Sequence, residues 1–157
     1  MKIIKKIGLV LLIALIIAQF FGPEQNLGDM ASVAVFEAET NPPDDVKLIL
    51  KSACYDCHSN VTEYPWYSNI TPVNYWLNHH IEEGKEHFNV SKWEGNSMKR
   101  KDHKFEELIE EVEEGKMPLK SYTWAHAEAK LTGEQVKALT DWAKQVRVKY
   151  GLRPKPE

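Results

Sequence analysis

Two cysteines and a histidine, Cys54, Cys57 and His58, are the residues of this chain whose types and spacing carry the clearest chemistry. They form the pattern C-x-x-C-H, which is the attachment signature of c-type haem. In that chemistry each thiol forms a thioether with one haem vinyl group, and the adjacent imidazole ligates the iron as the proximal ligand. The chain contains 2 cysteines in all, so this segment uses both.

Three other interpretations of the two cysteines remain open at this stage. A C-x-x-C pair can be a dithiol redox centre, although such centres usually lie within a βαβ pattern. A structural zinc site normally needs four ligands from two separated pairs, and the chain has one pair. A structural disulfide is compatible with an oxidising compartment, but this spacing closes a small loop. The C-x-x-C-H pattern therefore favours haem over these alternatives.

The N-terminus has the charge and hydropathy pattern of an export signal. Lys2, Lys5 and Lys6 precede an almost wholly apolar run that ends at Phe21. No small-residue cleavage site follows directly, so we expect an uncleaved single-pass transmembrane helix, with residues 31–34 as a weaker cleavage site. The lysines place the N-terminus in the cytoplasm. The predicted location is the bacterial inner membrane, with the remaining chain in the periplasm.

The rest of the chain is predicted to be all-α, because helical spacing recurs and strand alternation is absent. We divide the chain into a signal-anchor at 1–21, a tether at 22–43, a haem-binding domain at 44–150 and a tail at 151–157. A helix is expected from Pro72 to about Glu83, ending at Gly84, and a capping box at Thr132 begins the last helix. The net charge of −3 is too small to indicate nucleic-acid binding.

The second axial position of the iron decides which function such a haem could have. Met117 lies beside a proline in a loop between two predicted helices, and a thioether ligand is typical of electron-transfer cytochromes. His126 is the alternative distal ligand, and another histidine or an open position also remains. An open position would let the iron bind gases or peroxide. Met117 is the preferred distal ligand on this evidence.

Several sequence segments resemble the bacterial haem-binding domain family. The similarity includes Cys54–Asn60, Tyr64–Ile70 and Gly115–Pro118, and it extends over nearly all of the chain after the N-terminal region. The resemblance implies a cytochrome c-like helical fold around one covalent haem c, in a small membrane-anchored protein. It does not indicate the partner protein or the pathway.

Together these observations predict electron transfer by a membrane-tethered mono-haem cytochrome, and no enzymatic activity. Redox partner proteins and a membrane respiratory complex are the expected partners. The alternatives are a haem-based sensor or peroxidase-like protein with an open distal site, or a haem subunit of a larger respiratory complex. The predicted haem shell comprises Trp66, Tyr67, Asn69 and Tyr122, whose polar groups can donate to haem propionates.

Overall fold

Helices form the whole architecture of the part of the chain that the structure describes, residues 2–151. In that range this computed structural model contains eight α-helices: α1 Lys2–Ala18, α2 Ala34–Thr40, α3 Asp44–Ala53, α4 Tyr55–His58, α5 Val73–His87, α6 Met98–Glu113, α7 Lys120–Ala125 and α8 Gly133–Lys149. Leu27 and Val61 pair with each other in an isolated antiparallel β-bridge. The all-α prediction is confirmed. The predicted tail lies outside the described residues except for Gly151.

Helix α1 contradicts the predicted transmembrane segment. It contains 17 residues, which correspond to a length of about 26 Å, whereas a bilayer core is about 30 Å thick. Over residues 2–151, no helix combines the length and the apolar character needed to cross a membrane. Helix α1 stops before Gln19, whose side-chain amide pairs with both backbone polar groups of Thr71. The predicted membrane anchor and single-pass inner-membrane location are therefore wrong.

Residues 22–43, predicted as a tether, include helix α2 and contribute side chains to the core. Phe36 is completely buried, and Val33 and Thr40 are nearly so. The indole Nε1 of Trp142 donates to the carbonyl oxygen of Thr40 across 3.2 Å. The ring of Phe36 also packs against that of Trp142. This segment is thus attached to the last helix by an aromatic contact and a buried hydrogen bond.

Helices α6 and α8 pack against each other and form the main part of the core. The apolar residues of α6 recur every three or four positions, at Phe105, Ile109 and Val112, so that they share one face of the helix. The ring of Phe105 packs against Trp142 of α8, with centroids 5.3 Å apart. The predicted capping box at the start of α8 is confirmed, since Thr132 and Gln135 exchange side-chain and backbone hydrogen bonds.

Helix α5 is longer than the sequence predicts, because it continues through Gly84 to His87. Gly84 is buried within the helix. A side chain there would clash with the backbone of α4, since a Cβ atom would lie 2.6 Å from the carbonyl oxygen of Cys57. The glycine therefore permits close helix packing where the sequence suggested a helix end. This contact brings α5 directly against the C-x-x-C-H segment.

Candidate haem-binding site

The two cysteines lie at a break between helices α3 and α4. Cys54 leaves the helical conformation, with φ −127°, and α4 begins at the next residue. Both thiols are free and half-buried. Burial, reinforced by the neighbouring Cys57, raises the pKa of Cys54 to about 12, and burial together with Asp56 raises the pKa of Cys57 to about 11. Both side chains are therefore neutral thiols at neutral pH.

His58 is held in a defined orientation by two backbone carbonyl groups. Its Nδ1 atom lies 2.9 Å from the carbonyl oxygen of Gly84 and 2.9 Å from that of Phe88. A carbonyl only accepts hydrogen bonds, so Nδ1 carries the proton and Nε2 of the neutral ring has a free lone pair. Burial lowers the pKa of His58 more strongly than these two carbonyls raise it, which favours the neutral ring. This is the arrangement in which a histidine ligates a metal through Nε2.

Asp56, between the two cysteines, ties the segment to helix α7 and to the following loop. Its Oδ2 atom accepts a hydrogen bond of 2.7 Å from the hydroxyl of Tyr122. Its Oδ1 atom accepts from the backbone N–H of Glu63 at 2.9 Å, and its carbonyl accepts from the hydroxyl of Thr62. Sequence reasoning gave Asp56 no role. Its acidic side chain inside the C-x-x-C-H pattern was the available signal.

The residues after His58 are connected to the N-terminal part of the chain through Asn26. Its side-chain amide donates to the carbonyl oxygen of Ser59 and to the hydroxyl of Thr62, each at 2.8 Å. The hydroxyl of Tyr64 accepts from the backbone N–H of Asn26 at 2.7 Å. Asn26 therefore fixes the chain on both sides of the bridge at Val61, and it belongs to the shell that supports the site.

His126 is stacked on Tyr122, and both of its ring nitrogens have partners. The two rings lie nearly parallel with centroids 4.5 Å apart. The Nδ1 atom lies 3.1 Å from a carboxylate oxygen of Glu128, which only accepts, so Nδ1 carries the proton. In the neutral ring the Nε2 atom then accepts from the hydroxyl of Tyr67, at 2.8 Å. Tyr67, Tyr122, His126 and Asp56 thus form one connected group beside the cysteines, which we call the tyrosine–histidine cluster.

Met117 lies in the turn that follows helix α6. Gly115 has φ +67°, a left-handed conformation that favours glycine, and it reverses the chain there. The backbone N–H groups of Lys116 and Met117 both donate to the carbonyl oxygen of Glu111, at 2.9 and 3.0 Å. The side chain of Met117 is half-buried against the hydrophobic core. The turn thus holds Met117 in a defined place close to the end of α6.

The other two predicted shell residues are more exposed than the cluster. Trp66 is 78% exposed and packs edge-on against Tyr67. Asn69 is exposed and lines a polar cleft together with Gln19, Tyr64 and Asn74. The structure therefore connects Tyr122 directly to the C-x-x-C-H segment through its hydrogen bond with Asp56. Tyr67 is connected indirectly, because it bonds to His126, which stacks on Tyr122, and Trp66 packs against Tyr67.

A family model for the haem-binding domain matches residues 13–145 of the chain. The chain belongs to the haem-binding domain family. No curated protein and no solved structure matches it. The family match covers the cysteines, the histidine and every helix from α2 to α7, together with most of α8. Haem binding and the predicted resemblance are therefore confirmed.

The donor set of this haem-binding domain fits a haem at Cys54, Cys57 and His58. The two thiols are neutral and lie next to the imidazole of His58. Both carbonyl contacts of that ring are made by Nδ1, which leaves Nε2 as the nitrogen that could ligate iron. Large aromatic side chains near the tyrosine–histidine cluster are available to pack on a porphyrin, since Trp66 and Trp124 are 78% and 90% exposed. A porphyrin that packed on these two indole rings would remove their apolar surface from water.

Proposed function

We propose that this haem-binding domain is an electron carrier with one covalently attached haem c. In this proposal Cys54 and Cys57 bind the two vinyl groups, and Nε2 of His58 ligates the iron. The observation that carries the proposal is the double carbonyl contact of His58 Nδ1, which sets the tautomer a proximal ligand needs. When bound, a haem iron accepts and releases one electron by changing between its ferric and ferrous states.

Met117 is the proposed second axial ligand. The rival His126 could ligate through Nε2 only after breaking its hydrogen bond with Tyr67, or through Nδ1 only after separating from Glu128. A neutral thioether has no comparable contact to give up, and the turn at Gly115 restricts where Met117 can lie. A methionine ligand raises the potential and fills the position that a gas or peroxide would use. Both effects favour electron transfer between redox partner proteins.

The chain's own residues serve this proposed function by positioning and by excluding water. Two carbonyl groups orient His58: that of Gly84 in α5 and that of Phe88, the residue after α5. The hydrogen bonds of Asp56 hold the segment between the cysteines. The hydrophobic core borders Cys54 and Met117 on one side, which lowers the local polarity. Limited change in the protein around the iron reduces reorganisation when the charge changes, so a rigid and dry site suits electron transfer.

Attachment is tested by producing the protein in cells that mature c-type cytochromes and staining a denaturing gel for haem. The proposal expects a stained band for the parent protein, which weakens for Cys54→Ser or Cys57→Ser and disappears when both are changed. Haem that stays with the double variant on the gel would contradict covalent attachment through these thiols. His58→Ala should change the absorption spectrum to that of a haem without its proximal ligand.

The distal ligand is tested with Met117→Ala and the matched control His126→Ala. We expect the ferric parent protein to show the charge-transfer band of methionine ligation, which Met117→Ala abolishes and His126→Ala retains. The opposite result would assign His126 as the ligand. Ready binding of carbon monoxide by the parent protein, without such a band, would instead support the sensor or peroxidase-like alternative.

A further inference from the structure

His80 on helix α5 has a buried ring nitrogen without a partner among residues 2–151. Its Nε2 atom is inaccessible to solvent and makes no hydrogen bond. Its neighbour His79 is an ordinary surface residue, with a side chain 66% exposed, whereas that of His80 is 24% exposed. Trp93 also has a buried indole nitrogen outside any hydrogen bond of normal geometry, but the Glu39 carboxylate and the Tyr150 hydroxyl lie beside it. His80 is therefore the candidate for a contact with a bound group.

The surroundings of His80 direct Nε2 toward the protein interior. On one side the ring packs edge-on against Trp76, with centroids 4.6 Å apart. Its Nδ1 atom lies 3.8 Å from a carboxylate oxygen of Glu83, a residue exposed to solvent. The remaining nitrogen is thus the one turned away from water. A buried polar group without a partner is destabilising, so native proteins normally satisfy it with a ligand, a water or another residue.

The position of His80 relative to His58 limits which part of a haem it can reach. His80 lies one helical turn before Gly84, so the two residues share one face of α5. Gly84 is packed against Cys57, and its carbonyl lies at Nδ1 of His58, the ring nitrogen opposite the Nε2 atom that would ligate iron. A haem held by Nε2 would therefore have helix α5 on its His58 side, where His80 could not serve as the second iron ligand. The polar groups of a haem that remain are its two propionate carboxylates.

We propose that His80 Nε2–H donates a hydrogen bond to a haem propionate, so that α5 holds both the proximal histidine and the polar edge of the haem. This contact rests on the attachment at Cys54 and Cys57 proposed above. A donor is needed there because a carboxylate brought into a partly apolar site loses its hydration. The pairing satisfies both groups at once.

The test compares His80→Phe, His80→Gln and the matched control His79→Phe in the haem-loaded protein. The phenylalanine ring of the first variant keeps the packing with Trp76 but cannot donate, whereas the glutamine amide of the second can donate from a similar place. We expect the propionate-bending band in resonance Raman spectra to shift in His80→Phe, to return toward its original position in His80→Gln and to stay unchanged in His79→Phe. The unfolding equilibrium of the haem-loaded protein should shift toward the unfolded state by about tenfold in His80→Phe.

Unfolding of the haem-free proteins separates this role from a structural one. We expect His80→Phe to leave the haem-free protein no less stable, because Nε2 has no partner there. An equal loss of stability with and without haem would assign Nε2 to a trapped water and overturn the proposal. An unchanged propionate band would also overturn it. Failure of covalent attachment is a separate result, since the parent protein would then leave no haem stain on a denaturing gel.

Discussion

Gly84→Ala is expected to destabilise the protein, although the same change in an ordinary helix is stabilising. Alanine is favoured over glycine in a helix interior by about 1 kcal/mol. At Gly84, however, the added Cβ would lie 2.6 Å from the carbonyl oxygen of Cys57 and 3.0 Å from its Cβ. Both atoms belong to the C-x-x-C-H segment, and the oxygen is part of the backbone. They cannot move aside as a flexible side chain would.

The size of the effect follows from these two opposing contributions. Overpacking in a close-packed region costs about 1–3 kcal/mol, which exceeds the gain in helix propensity in most of that range. We expect a net loss of about 1 kcal/mol, and at most about 2 kcal/mol, in the free energy of unfolding. Moving α5 away from α4 would also lengthen the 2.9 Å contact between Gly84 and His58. Haem attachment should therefore decrease together with stability.

The assay is urea unfolding of the haem-free protein, combined with haem staining of the protein produced under maturation conditions. Gly133→Ala is the matched control, since an added Cβ at the start of α8 meets nothing within 4 Å. That variant should stain normally and unfold near the parent concentration of urea. A Gly84→Ala protein as stable as the control, with normal haem content, would refute the argument that backbone contact between α4 and α5 builds the site.

Four further variants test hydrogen bonds and charges at the site and in the surrounding fold. Tyr122→Phe removes the donor to Asp56, so urea unfolding should show a loss of about 1–2 kcal/mol, and Asp56→Ala should add little to it in a double-mutant cycle. Asn26→Ala should cost about 1–3 kcal/mol in the same assay, because it removes two donors from buried acceptors; a smaller loss than Tyr122→Phe would contradict this. Burial raises the pKa of Glu39, but hydrogen bonds, above all that from Lys101, bring it below the ordinary 4.5. The stabilisation is therefore present above about pH 4.5 and decreases as the pH falls, and thermal melts of Glu39→Gln should lack that part of the acid dependence.

Local sequence signals predicted the elements whose stabilising contacts are themselves local. The apolar spacing in α6 and the capping box at Thr132 depend on residues three or four positions apart, and both were found where expected. The C-x-x-C-H pattern is also local, and it predicted the haem binding that the family match confirms. These features are determined within one or two helical turns, so the sequence contains them directly.

Features that depend on distant residues were missed or wrong. The apolar run near the N-terminus suggested a span to Phe21, but pairing between Gln19 and Thr71 marks the end of α1. Gly84 looked like a helix end because its packing partner, Cys57, is far away in sequence. Nothing local in the sequence separates His80 from the surface residue His79, since burial of one ring nitrogen depends on tertiary packing. In each case a tertiary contact decided the outcome.

The orientation of His58, the proposed proximal ligand, depends on helix α5 as a whole, and on no single side chain. The acceptors for Nδ1 of His58 are the main-chain carbonyls of Gly84 and Phe88, which no substitution removes. The ring of Phe88 also packs against that of His58, with centroids 5.6 Å apart. Substitutions therefore change the ligand's orientation by moving the helix. Variants that alter the packing of α5 should affect the iron's spectrum and potential more than variants that change exposed charges near the haem.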